Sequence, residues 1–318
     1  MKKNKHVEIN LGNVCNNRCI FCMVYDIGKK KFASAENVRR ELDYYGKEGF
    51  TSLGFLGGEP TIYPNIIDIV RYANHCGFTE IHMVSNGRMF SNKSFLRKLI
   101  DSGVTRFSVS IHSHIESVED SLTRVPGGFK QKIEGIKNLV YLKKRGLIQQ
   151  PISANIVINK KNIEHLPGTV DFLYKLGITR FRLNFIRPKG RAMKNFDILV
   201  PMYSEVVEPI NKTLSLTKNR PIKVDIGDIP PCIFSHNYEF INSDGTLKDN
   251  TNLVVSFSDV DAEGNIYKNI IYWENQRKYE FKTKGKQCAT CKLSALCEGV
   301  WKEYADKFGF GEFRPFVK

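Results

Sequence analysis

The sequence predicts an α/β protein in which a parallel sheet with helical crossovers is followed by a smaller tail of different construction. Three observations carry that expectation. Short apolar strands alternate with amphipathic stretches from Val7 to Phe185, the alternation stops after about Asn219, and six of the eight cysteines fall in two tight groups. Strands separated by helices need right-handed crossovers, which leaves either an open doubly wound sheet or a partial barrel. In both, ligands gather at the carboxyl ends of the strands.

Taken in order, the strands are Val7 to Leu11, Ser52 to Leu56, Glu80 to Val84, Arg106 to Ile111, Ile152 to Ile158 and Arg180 to Phe185, each with Val, Ile or Phe at alternate or adjacent positions. After the first strand, Ser34 is placed to cap a helix whose Val38, Leu42 and Tyr45 share one face. Phe129, Ile133, Ile136 and Val140 repeat at helical spacing, as do Leu166, Val170 and Leu173, and a last helix is expected from Tyr203 to Leu216. Beyond Asn219, Leu253 to Ser258 and Ile266 to Trp273 flank Asp261-Ala262-Glu263-Gly264-Asn265, which reads as a hairpin turn. A cysteine-bearing tail follows. The expected units are 1–219 and 220–318.

The chain has 318 residues, 42% hydrophobic and 25% charged, enough for one large core and a modest appendage. No apolar run approaches the roughly 18 residues of a membrane span, and the first residues hold no apolar segment suited to secretion, so a cytoplasmic enzyme is expected. In a reducing compartment eight cysteines imply metal ligation before disulfides. The formal charge of +15 raises a nucleic-acid partner, but the lysines are scattered. The one compact run, Lys29, Lys30 and Lys31, reads as a solvated loop or as a surface for an acidic electron donor or an anionic substrate.

Cys15-Asn16-Asn17-Arg18-Cys19-Ile20-Phe21-Cys22 lies directly after the first strand, where the fold places a site. Three closely spaced thiolates can ligate three irons of a cubane and leave the fourth open. Zinc fits poorly, because structural zinc wants four protein ligands and no neighbouring residue completes the set.

CxxxCxxC after a first strand resembles the signature of the radical S-adenosylmethionine (SAM) superfamily. Gly57-Gly58-Glu59-Pro60 after the second strand resembles the family's GGEP motif, whose backbone receives the SAM amino group; glycines there let the main chain approach a ligand. Ser85 and Asn86 after the third strand, and Ser108 and Ser110 on the fourth, are similar to the family's polar contacts to the ribose and methionine of SAM. Phe21 matches the aromatic beside the adenine. Asn155 and Ile158 on the fifth strand, with Asn184 and Arg191 near the sixth, are looser candidates for the adenine, carboxylate or substrate. The resemblance implies a partial (β/α)6 barrel, a 4Fe-4S cluster on Cys15, Cys19 and Cys22, and reductive cleavage of SAM to a 5'-deoxyadenosyl radical that abstracts a substrate hydrogen. It also implies an acidic electron donor such as flavodoxin or ferredoxin.

Cys288-Ala289-Thr290-Cys291, followed by Cys297, has CxxCx5C spacing, and Cys232 after Pro230 and Pro231 is the fourth ligand by count. From spacing alone a structural zinc knot remains open. Within the superfamily the arrangement resembles auxiliary-cluster domains called SPASM and, when shortened, twitch. The two further cysteine places of the full pattern hold Asn269 and Trp301, which implies one auxiliary 4Fe-4S cluster beside a small hairpin and helix. Cys76 reads as a small buried residue on a helix, and His112 and His114 read as ordinary loop histidines.

The substrate is expected to be a ribosomally made peptide. The alternatives are a small molecule, as for a dehydrogenase or cyclase of the same superfamily, and a non-catalytic iron-sulfur protein that binds nucleic acid. The glycine-rich, arginine-containing tail of the molybdenum-cofactor cyclase is not evident in Gly309-Phe310-Gly311-Glu312-Phe313-Arg314-Pro315.

Overall fold

The alternating apolar residues of the strands bury one face of a single curled sheet, seen in a computed structural model that describes residues 5–24, 30–234, 253–257, 270–272 and 275–317. The strands are β1 (His6–Asn10), β2 (Ser52–Leu56), β3 (Glu80–Ser85), β4 (Arg106–Ser110), β5 (Ser153–Ile158), β6 (Arg180–Phe185), β7 (Lys223–Gly227), β8 (Leu253–Phe257) and β9 (Ile270–Tyr272). Their order is β7-β6-β5-β4-β3-β2-β1-β8-β9. The first eight are parallel and form a partial barrel, and β9 returns antiparallel beside β8.

The six expected strands are present, each within a residue of its expected bounds. Two members of the sheet extend beyond that expectation. β7 was not foreseen, because Lys223-Val224-Asp225-Ile226-Gly227 holds only two apolar side chains. β8, expected as half of a local hairpin, pairs with β9 as anticipated and also lies parallel to β1, in register His6↔Leu253 to Asn10↔Phe257. The sheet therefore runs past residue 219. The expected turn at 261–265, together with Ile266, Asn269 and Trp273, lies outside the described residues, as does Lys29.

Helices cover the convex face. In α1 (Ala35–Lys47) Ser34 is the N-cap, its hydroxyl accepting from the Asn37 N–H at 3.1 Å, and Val38, Leu42 and Tyr45 are buried. α2 (Ile66–His75), α3 (Lys93–Ser102), α4 (Glu116–Thr123), α5 (Gly128–Lys144), α6 (Leu166–Leu176), the one-turn α7 (Arg191–Lys194) and α8 (Phe196–Leu199), and α9 (Tyr203–Thr217) follow. Phe55, Ile81, Met83, Phe107, Val109, Ala154, Ile156, Phe181 and Leu183 form the core beneath them, each 0% exposed.

The opposite residue set lines the concave face, and it is polar. His82 Nε2 lies 2.8 Å from Ser108 Oγ, and His6 Nδ1 lies 2.7 Å from Ser52 Oγ. Burial, followed by the field of Arg106, depresses the His82 imidazole to a pKa of about 3.

The tail packs on the barrel through aromatic and charged contacts. β10 (Lys282–Thr283) pairs antiparallel with β11 (Val300–Trp301), and α10 (Lys302–Phe308) follows. The guanidinium of Arg187, just past β6, is sandwiched between Phe281 (4.1 Å) and Trp301 (4.7 Å). Buried Lys282 reaches Asp228 and Glu298, both at 2.8 Å. Tyr203 stacks on Phe185 with centroids 4.0 Å apart and touches Tyr304, whose hydroxyl donates to Glu312.

Candidate functional site

The cysteine loop is fixed by backbone hydrogen bonds to three neighbours at the carboxyl ends of the strands. Gly58 N–H donates to Gly12 O (2.8 Å) and Glu59 N–H to Val14 O (2.9 Å). A Cβ at Gly57 would sit 2.4 Å from Gly12 O and one at Gly58 2.0 Å from Val14 O, so this contact requires glycine. On the other side Arg18 and Ile20 N–H groups donate to Thr123 O and Leu122 O of α4, both at 2.9 Å. From the third direction Arg191 N–H donates to Cys22 O (3.0 Å) and its Nη1 to Arg18 O (2.9 Å). Gly190, at φ +61, makes that approach possible, since a Cβ there would meet Met23 O at 2.6 Å.

Glu59 organises the neighbouring loop from within. Its carboxylate, 3% exposed, accepts from Thr61 N–H (3.1 Å), Thr61 Oγ1 (2.5 Å) and Ser85 Oγ (2.7 Å) on Oε1, and from Asn86 N–H (2.7 Å) on Oε2. Asn86 Nδ2 then donates to Asn16 Oδ1 at 2.6 Å, and Arg88 Nη1 to Asn16 O at 2.7 Å. The GGEP segment, the Ser85-Asn86 turn and the cysteine loop thus form one hydrogen-bonded unit.

The other candidate residues divide between two faces. Ser110 and Asn155 are neighbours on the concave face, paired in register. Ser108 lies one layer deeper, its hydroxyl engaged with His82. Ile158, 0% exposed, belongs to the helix-facing side of β5 with Ala154 and Ile156. Arg191 sits against the cysteine loop.

Two features of the site escaped sequence reasoning. His112 is not an ordinary loop histidine: it is 4% exposed, accepts the Val157 N–H on Nδ1 at 3.1 Å, and packs edge-on against Phe21 with centroids 4.7 Å apart. Burial lowers its pKa to about 4, so it is neutral at pH 7 and fixes the Phe21 ring. Beside it lies a buried ion pair, Lys132 Nζ to Glu119 Oε1 at 2.5 Å, both about 1% exposed or less. Glu119 Oε2 also accepts the His112 and Ser113 N–H groups, at 2.7 and 3.0 Å. Burial pushes the Glu119 carboxyl up, but Lys132 and these donors outweigh it and hold it below the usual range. His114 instead meets Thr169, with Nδ1 and Oγ1 3.1 Å apart.

The three thiols of the loop share one electrostatic neighbourhood. Burial pushes Cys15 up to about 11 and Cys19 up to about 12, and the fields of neighbouring thiols add to both. The Asn17 N–H at 3.3 Å from Cys15 Sγ works the other way. Such thiols stay protonated alone and become thiolates against a cationic centre, which is the donor chemistry that iron-sulfur clusters use. In the tail, Cys232, Cys288, Cys291 and Cys297 line one cavity with Pro230, Phe310 and Phe316. Burial raises Cys232 to about 12, with the other three thiols contributing. Among the described residues no group of three His, Cys, Asp or Glu is arranged to hold a single ion.

The Radical SAM superfamily description matches residues 9–173, just over half of the chain and spanning β1 to α6. This chain belongs to the radical SAM superfamily. Membership implies a 4Fe-4S cluster and SAM. Among curated proteins, a probable GTP 3',8-cyclase of Sulfurisphaera tokodaii is 30% identical over 221 residues, 69% of this chain and 66% of that protein. One from Saccharolobus islandicus is 30% identical over 210 residues, 65% and 64%. The match thus spans slightly under two thirds of those relatives. Among solved structures, Streptococcus suis SuiB bound to precursor peptide SuiA aligns with 98% of this radical SAM enzyme and 74% of SuiB, at TM-score 0.69 and 18% identity. Native anSMEcpe with bound AdoMet aligns with 98% and 93%, at TM-score 0.63 and 14% identity. Those likenesses concern the fold. Among the described residues no helix is long and apolar enough to cross a membrane.

Proposed function

We propose that this radical SAM enzyme modifies a peptide after abstracting a hydrogen from it, with residues 1–219 carrying the cysteine loop and most of the barrel and 220–318 adding the last strands of the sheet and a twitch-like auxiliary unit. Cys15, Cys19 and Cys22 hold the SAM-binding cluster, and Cys232, Cys288, Cys291 and Cys297 an auxiliary one. When bound, cluster and cofactor supply a 5'-deoxyadenosyl radical. The chain's own part is orientation: Gly57 and Gly58 present backbone to the SAM amino group, Glu59 positions Ser85 and Asn86, and His112 holds Phe21 against the adenine.

The observation that carries the peptide reading is the gathering of four tail cysteines in one cavity within a fold that parallels SuiB and anSMEcpe over 98% of the chain. A nucleotide substrate is the second reading, favoured by the 30% identity to probable GTP 3',8-cyclases. The test is anaerobic turnover of the iron-sulfur-loaded enzyme with SAM and dithionite, comparing GTP with a panel of short synthetic peptides. The proposal expects 5'-deoxyadenosine release to rise with a peptide whose mass then changes. Stimulation by GTP, with conversion of GTP, overturns it, and no release under any condition removes the enzymatic reading altogether.

A further inference from the structure

β6 places on the concave face one cation that forms no ion pair among the described residues, although Asp225 is its register partner on β7 and its charge reaches Asp228. Phe181, Leu183 and Phe185 point into the core at 0%, 0% and 2% exposure, so Arg180, Arg182 and Asn184 face the lumen of the barrel. The neighbouring cations there are paired: Arg106 lies 3.7 Å from Glu80 and Arg180 lies 3.8 Å from Asp225. Arg182 differs. Its Nε donates to Asn184 Oδ1 at 3.2 Å, and among the described residues it forms no ion pair. It is exposed although it sits mid-strand on β6, between β5 and the edge strand β7.

Its position relates it to the cofactor layer. In register Ser110 pairs with Asn155, and Asn155 with Arg182, so the guanidinium stands in the row of residues assigned above to SAM, displaced by two strands. Its charge is felt by His82 on β3 and by Asp228 past β7, so it faces across the concavity. A planar fork of donors on an exposed side chain, held through Nε by Asn184, suits two oxygens of an oxyanion. The surrounding concave wall concentrates that field.

We infer that Arg182 is the anchoring residue for an oxyanion of the substrate, a carboxylate of a peptide or a phosphate of a nucleotide. This rests on the proposed radical SAM function, with the substrate entering the concave face beside the cysteine loop, but it does not require turnover to be tested. The iron-sulfur-loaded enzyme is titrated calorimetrically with pyrophosphate, with glutarate and separately with SAM. Arg182→Gln is expected to weaken the preferred probe at least tenfold and leave SAM affinity within twofold, whereas Arg180→Gln, whose partner is Asp225, changes both by less than twofold. Arg182→Lys keeps the charge and loses the fork, and is expected to weaken the probe three- to tenfold; it serves if the glutamine variant does not fold.

Stronger binding of pyrophosphate points to a phosphate-bearing substrate and of glutarate to a carboxylate, and either supports the anchor. Loss of SAM affinity in Arg182→Gln assigns the residue to the cofactor and overturns the inference. Equal weakening by Arg180→Gln, or no measurable probe binding to the wild type, overturns it as well. Absence of 5'-deoxyadenosine release with intact probe binding removes the catalytic proposal and leaves the anchor standing.

Discussion

Replacing Glu59 with glutamine separates a residue that builds the cofactor platform from one that touches the cofactor. The carboxylate takes four hydrogen bonds at 2.5 to 3.1 Å in a pocket that leaves it 3% exposed. A glutamine can keep its carbonyl where Oε1 accepts three donors, but its amide nitrogen then faces the Asn86 N–H, donor against donor. One orphaned buried donor costs about 1–3 kcal/mol, and the three remaining bonds lose charge assistance, about half their strength. Relief of carboxylate desolvation offsets part of this, leaving about 2–4 kcal/mol. For a chain of this size about 2 °C is lost per kcal/mol, so Tm should fall by about 4–8 °C. Calorimetry on the loaded enzyme reads this, and a double-mutant cycle with Ser85→Ala should show positive coupling of about 1 kcal/mol. A Glu59→Gln enzyme with unchanged Tm and lost SAM binding would refute the reasoning, because the carboxylate would then be acting on the ligand rather than on Ser85 and Asn86.

Other perturbations probe the remaining parts of the site. Gly58→Ala drives a Cβ to 2.0 Å from Val14 O, a backbone atom, and should cut iron retained per chain by more than half after reconstitution. Lys132→Met leaves the Glu119 charge buried alone, so urea unfolding should show a loss of about 3–5 kcal/mol, most of it restored in the Lys132→Met, Glu119→Gln double variant. His82 titrates at about 3 when folded and about 6.5 when unfolded, so the unfolded chain binds the extra proton as pH falls below about 7. Stability from this group is complete above the unfolded value and shrinks by about 1.3 kcal/mol between pH 7 and 5.5. His82→Asn should remove that much of the pH dependence of the urea midpoint. Cys19→Ala should abolish 5'-deoxyadenosine formation, whereas Cys291→Ala should retain uncoupled formation, with iron falling from about eight to about four per chain in each.

The strands and the cysteine loop were legible because their signals are local. Alternating Ile81 and Met83, or Phe181 and Leu183, declare a half-buried strand without reference to any partner, and Gly57-Gly58 declares a close backbone approach. What could not be read depends on residues distant in sequence. Lys132 on α5 looks like a solvated lysine until α5 packs beneath β4 and brings it to Glu119, 13 residues earlier. His112 looks like a loop residue until β5 supplies the Val157 N–H. Ser108 was expected, by resemblance, among the polar contacts to the ribose and methionine of SAM, yet its hydroxyl is held by His82 from the adjacent strand. β8 was seen as a strand, but nothing within residues 253–257 names β1 as its neighbour.

That last pairing has a consequence for biosynthesis. β1, which delivers the chain into the cysteine loop, is flanked by β2 about 40 residues later and by β8 only about 240 residues later. At 5–20 residues per second the ribosome takes roughly 12–50 s to supply that second neighbour. Throughout that interval the strand leading to Cys15 has an open edge, and its thiols stand near a surface that has not yet closed. Iron-sulfur delivery to the nascent chain would meet an accessible loop then, whereas delivery after release would have to enter a sheet already sealed on both sides.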